Sequence, residues 1–147
     1  RTFEGAMENY GVLFFFTPLI AAMAGNVGVQ SSAIIVQGLA NNTLGGTIWH
    51  RLYKELRLSL FNGLILAVIL MLGSHFIIGV DYDISITVSI ALMSVILIAS
   101  LIGTFVPITL NKYGIDPALA TGPFITTSND ILGILIYFSI AKVILGF

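Results

Sequence analysis

The chain of 147 residues has no cysteine. That excludes disulfides, thiolate metal sites and thiol catalysis, and leaves the redox compartment undetermined. Its two histidines, His50 and His75, stand far apart, so a histidine-based transition-metal cluster has no local basis. Charge is scarce: 9% of residues are charged and the formal net charge is −1. No nucleic-acid footprint exists, and the balance gives no charge argument about partners. A Gly-rich phosphate loop, a Ser-His-Asp constellation and a paired-carboxylate hydrolase arrangement are all missing, so an enzyme reading has little support. The first residue is Arg1, and no secretory-signal pattern precedes the first apolar run. The expectation is a fragment of a larger protein.

What the chain has is apolar residues, at 57% of the sequence and a mean hydropathy of +1.03. That is far from a soluble domain of this length. Spanning about 30 Å of hydrocarbon needs roughly 20 helical residues. Four runs qualify, at 10–40, 58–78, 84–110 and 118–145. The first contains a polar, glycine-rich interruption, Gly25-Asn26-Val27-Gly28; the third has Pro107 near its end; the fourth has Gly122-Pro123 in its first turns. The short alternating pattern of a membrane β-barrel is missing. The expected fold is therefore an all-α, polytopic transmembrane domain with four spans. No linker, low-complexity segment or repeat divides it, so it reads as one domain.

The connections predict orientation. Arg51, Lys54 and Arg57, with the acid Glu55, lie between the first and second spans; Asp81 and Asp83 lie between the second and third; Lys112 follows the third. By the positive-inside rule, 41–57 and 111–117 are cytoplasmic and 79–83 faces outward. The segment 1–9 and the C-terminus near Phe147 are then outside. An exterior start without a signal peptide is most simply repaired by a preceding helix, which predicts at least five spans in the parent protein. Residues 41–50 read as a loop or helix break, and 49–60 as a basic amphipathic stretch along the cytoplasmic interface. Trp49, His50, His75 and Lys142 read as interface residues.

One acid interrupts the last apolar run: Asp130, preceded by Thr126-Thr127-Ser128-Asn129. A carboxylate at membrane depth costs on the order of 3 kcal/mol on insertion scales. In a chain this poor in basic residues, a cation from solution can compensate it; a protonated Asp130 bonded to a neighbouring helix is the alternative. Asp130 lies about 20 Å of helix rise beyond Pro117, and Asn26 about 24 Å beyond Tyr10, from opposite sides. Two polar interruptions at comparable depth predict one shared polar path. Asn26 and Gln30 share a helix face, and Ser31 and Ser32 extend it. Unwound backbone around Gly25 and Gly28 would offer carbonyls to an ion; a small-residue packing seam is the other reading. Thr126, Thr127 and Gly133 form one small face with Asp130. Asp116, before Pro117, reads as a helix cap or as a cation site at the inner mouth.

All these ligands are oxygens, which suit hard cations such as Mg²⁺, Ca²⁺ or Mn²⁺. Mg²⁺ releases its waters reluctantly and is often held through one or two carboxylates. A two-fold dimer with a pore on its axis would present two copies of Asp130 to such an ion.

Two blocks carry a family resemblance. Pro18-Leu19-Ile20-Ala21-Ala22-Met23-Ala24-Gly25-Asn26-Val27-Gly28-Val29-Gln30-Ser31-Ser32, followed by Gly38-Leu39-Ala40, resembles the second membrane helix of the MgtE family of bacterial Mg²⁺ channels. Asp116-Pro117-Ala118, Gly122-Pro123, Thr126 to Asp130, Gly133 and Ile136-Tyr137-Phe138 resemble that family's last helix. Val29 departs from the pattern, where many relatives carry a second Asn. The resemblance implies a homodimeric pore in a bacterial inner membrane, with Mg²⁺ held near the membrane centre by Asp130. It implies that Gly25, Asn26 and the backbone from Gly122 to Thr126 line the pore, and that Asp116 belongs to a cytoplasmic-side cation site linked to closing. It also implies that the first of five membrane helices precedes this chain. The expected activity is divalent-cation conduction, with a Na⁺- or H⁺-coupled transporter as the alternative.

Overall fold

The computed structural model describes residues 11–146, and every long element in it is helical. The segment 1–9, the expected outer start at Tyr10 and the terminal Phe147 lie outside the described residues. Helix α1 spans Gly11–Ala40, α2 Ile48–Leu72, α3 Tyr82–Lys112 and α4 Pro123–Leu145. A π-helix, Gly73–Ile78, continues α2, and a 3₁₀ turn, Pro117–Ala120, precedes α4. All four spans are long and apolar enough to cross a membrane.

Helix α3 is the hub, packing against α1, α2 and α4. Its buried stripe is rich in small residues, including Ser85, Ser89, Ala91, Ala99, Ser100 and Gly103. Between helices in lipid, such residues let backbones approach closely. Helix α1 turns Leu13, Phe16, Ile20, Ala24, Gly28, Ser31 and Ile35 inward at three- and four-residue steps. Against them α4 sets Ile125, Asn129, Gly133, Tyr137 and Ala141. The Tyr137 hydroxyl donates to the Leu13 carbonyl at 2.7 Å and ties the start of α1 to the later part of α4. Helix α2 is peripheral: Ser59, Gly63 and Ala67 are its buried residues.

Three expectations need correction. The interruption at Gly25–Gly28 is absent as backbone structure, because α1 runs unbroken through it. In a bilayer an unwound turn would leave amides and carbonyls unmatched, a cost above the roughly 1 kcal/mol a helical glycine concedes to alanine. The second span begins at Ile48 instead of residue 58, so the basic stretch is the first part of one helix. Thr47 caps it, its hydroxyl accepting from the His50 amide at 3.3 Å. With the π-helix this gives 31 residues, about 46 Å of rise against about 30 Å of hydrocarbon. The fourth span is not one helix from residue 118. It bends at Thr121-Gly122, where Gly122 takes φ 62° and ψ −136°, a conformation open chiefly to glycine. The depth of Asp130 is therefore counted from Pro123, about 10 Å of rise away.

Candidate functional site

Glycine decides where the helices touch. On α1, a methyl group at Gly25 would lie 2.7 Å from Asp130 Oδ1 and 3.1 Å from Thr126 Cγ2. One turn on, a methyl at Gly28 would overlap the Asn129 side-chain amide. From the third side, a methyl at Gly103 of α3 would collide with the Gly28 carbonyl oxygen. Three helices thus converge on a seam with no space for one added carbon, and Asp130 and Asn129 stand at its edge.

The structure brings Gly25, Thr126 and Asp130 together. Thr126 is fixed from below, its amide and its hydroxyl each meeting the Gly122 carbonyl at 3.0 Å. The Gly122 carbonyl is thereby engaged in the first turn of α4. Asp130 Oδ1 is buried and has no hydrogen-bond partner. Asn26 is one residue from Gly25 but faces elsewhere: with Gln30 it lines a cleft shared with α2. Gly133 packs against Ala24 and Val95, so it belongs to the helix seam, whereas Thr127 is exposed. Asp116 lies apart from this group and caps the 3₁₀ turn, its Oδ1 accepting from the Ala118 amide at 2.9 Å. The turn is held to α1 through the Ser32 hydroxyl, which donates to the Ala120 carbonyl.

Several residues here went unassigned in the sequence. Asn129 is 1% exposed, and neither polar atom of its side chain has a partner. Thr104 Oγ1 on α3 is likewise buried and unmatched. Leaving such a group unpaired costs about 1–3 kcal/mol. The signal for Asn129 lay in its place beside Asp130; that for Gly103-Thr104 lay in a small, polar pair within an apolar helix. The hydrogen bond from Ser31 Oγ to Glu55 Oε1, at 2.6 Å, joins α1 to α2 and had no sequence signal. Among the described residues no group of three or more His, Cys, Asp or Glu forms a metal cage. What the site offers an ion is one carboxylate, small neighbours and neutral oxygens, donor types suited to a hydrated hard cation.

Residues 17–140 match the MgtE family, described as a divalent cation transporter. The chain is 39% identical over 140 residues to the magnesium transporter MgtE of Bacillus subtilis, covering 95% of this chain and 31% of that protein. It is 33% identical over 144 residues to the magnesium transporter MgtE of Thermus thermophilus, covering 97% and 32%. The magnesium transporter MgtE of Enterococcus faecalis is 32% identical over 150 residues, covering 99% and 32%. The chain thus spans about a third of the length of these relatives.

Proposed function

From the premise that the chain belongs to the MgtE family of divalent cation transporters, we propose that it is the ion-conducting membrane domain of a Mg²⁺ channel. The carrying observation is the buried, unpartnered Asp130 Oδ1 beside Gly25. At that depth a carboxylate without a protein partner calls for a positive charge. The missing side chain at Gly25 leaves room for the Asp130 carboxylate itself, since a methyl there would lie 2.7 Å from Oδ1. Mg²⁺ keeps most of its waters, so the carboxylate takes the ion through its shell, with Thr126 and the backbone near Gly122 lining the path.

One aspartate leaves a divalent ion half neutralised. A homodimer with the pore on its two-fold axis supplies the second, and the relation between copies needs no further acid in this chain. The domain sits in a bacterial inner membrane, with the Arg51, Lys54 and Arg57 end inside and the C-terminus outside. In that orientation an inside-negative potential drives a doubly charged ion inward with about 4.6 kcal/mol per 100 mV. Asp116, near the inner mouth, binds a cation that favours closing.

The test is divalent flux into proteoliposomes holding the complete protein, Asp130→Asn beside wild type. The expected loss is at least about tenfold, the equivalent of about 1.4 kcal/mol of ion stabilisation. Near-normal flux from folded Asp130→Asn protein overturns the pore assignment. Mg²⁺ flux that requires an imposed Na⁺ or proton gradient replaces the channel by a coupled transporter.

A further inference from the structure

Helices α1 and α2 both pack on α3 but scarcely on each other. Between them lies a cleft of about 450 Å³. Asn26, Gln30 and Ser31 line it from α1, and Glu55, Ser59 and Asn62 from α2. On α2 Glu55, Ser59 and Asn62 recur at four- and three-residue steps and so form one stripe, and on α1 Asn26 and Gln30 are four apart with Ser31 next to Gln30. These polar groups face one another across a cleft whose remaining lining is apolar, Met23, Val27, Leu66 and Ile96 among it. Ser31 Oγ donates to Glu55 Oε1 at 2.6 Å, which fixes the carboxylate across the gap and leaves its other oxygen for a ligand. Arg51, Lys54 and Arg57 share the helix with Glu55, yet among the described residues its polar partner is Ser31.

We propose that this cleft is a second divalent-cation site, with Glu55 supplying the charge and the side-chain oxygens of Asn26, Gln30 and Asn62 accepting from the ion's waters. The donor set is all oxygen, which selects a hard cation. Size agrees: six waters occupy about 180 Å³ at roughly 30 Å³ each, well inside the cleft. Position gives the site its use. Ser31 is six residues from Gly25, so Glu55 stands about 9 Å along α1 from the level of Asp130. Asn26, the polar lining residue of α1 that lies farthest towards Asp130, adjoins Gly25, which touches Asp130. An ion at Glu55 is therefore poised one step from the pore carboxylate, towards the basic end of α2. Adjacent sites of this kind pass ions by mutual repulsion. This use of the cleft rests on the channel reading above.

Mn²⁺ is the probe, its binding to the complete protein in nanodiscs counted by electron paramagnetic resonance. Glu55→Gln keeps the acceptor for Ser31 and removes the charge. It is expected to lose one bound Mn²⁺ per chain, and Asp130→Asn is expected to keep that ion. Ser31→Ala, which spares the carboxylate, is expected to weaken the same ion by roughly fivefold, the effect of one hydrogen bond. In flux assays Glu55→Gln is expected to raise the Mg²⁺ concentration needed for half-maximal flux, with a smaller change in the maximum. Unchanged Mn²⁺ binding in folded Glu55→Gln, or in Ser31→Ala should Glu55→Gln fail to fold, overturns the site. Normal flux in Asp130→Asn would overturn the channel reading instead, and leaves the Mn²⁺ count at Glu55 to be read by itself.

Discussion

Helices α1 and α2 meet the same central helix on different terms. Where α1 crosses α3, the contact is backbone against backbone, Gly103 lying on the Gly28 carbonyl. Where α2 crosses α3, Gly63 faces Ile96 and Met93 at ordinary van der Waals distances, 3.5 and 3.6 Å from where a methyl would stand. The first contact fixes α1, and with it Gly25 against Asp130, to the scaffold of α3 and α4. The second leaves α2 attached by side chains, with the cleft beside it. A glycine in a helix is thus a structural necessity in one place and merely compatible in the other. Sequence composition does not tell the two apart; the atom that the missing side chain would have met does.

Gly103→Ala is the substitution that strains this contrast most. The obstructing atom is a main-chain oxygen on a rigid helix, so relief requires α1 and α3 to separate. Overpacking of that kind costs about 1–3 kcal/mol, and here it also displaces Gly25 from Asp130. The expected outcome is a lowered thermal midpoint of the detergent-solubilised protein together with reduced Mg²⁺ flux. A Gly103→Ala protein with wild-type stability and flux would mean that the tight seam has slack, and the distinction between the two contacts would fall.

The legible part of this molecule was the part written in runs of apolar residues. Four spans, their order and the place of Asp130 and Thr126 on the last of them follow from hydropathy and helical spacing. The unbroken course of α1 did not, because glycine's weak helix preference is measured where water can take the freed backbone groups, and lipid cannot. The start of α2 was obscured by Arg51, Lys54 and Arg57, which read as an interface segment although no residue there ends a helix. Gly122-Pro123 was visible, but its bend depends on a positive φ that only the fold imposes. Asn129 lay in plain view next to Asp130, and its burial could be known only once Gly28 was set against it. The pairing of Ser31 with Glu55 joins residues 24 apart in sequence, beyond the reach of any local pattern.

A middle-sized effect is expected at Asp116, where the cap and the proposed cation site make opposite demands on one substitution. Asparagine caps a helix as well as aspartate does, whereas alanine forfeits about 1 kcal/mol. Asp116→Asn therefore keeps the bond to the Ala118 amide and removes the charge. As a cation site linked to closing, the position gives Asp116→Asn and Asp116→Ala the same loss of sensitivity to internal Mg²⁺, with maximum flux little changed. If capping is its sole role, Asp116→Asn responds to internal Mg²⁺ as wild type does and only Asp116→Ala is altered. Flux recorded against internal Mg²⁺ for the pair separates the two.

The smallest effect, and the sharpest test of the comparison, belongs to Gly63→Ala. On α2 an added methyl would touch Ile96 and Met93 in normal contact, with no backbone in the way. Alanine is favoured over glycine in a helix interior by about 1 kcal/mol. Part of that gain is lost in small adjustments of Met93, whose side chain is flexible. The expected outcome is therefore neutral or slightly stabilising, opposite in sign to Gly103→Ala although both replace a glycine at a helix crossing on α3. Because Gly63 is one residue from Asn62 in the cleft wall, Mg²⁺ flux is measured alongside the thermal midpoint and should stay at the wild-type level. A destabilised Gly63→Ala protein would place α2 as close to α3 as α1 is, and the cleft would then be bounded by two backbone-close helix contacts instead of one.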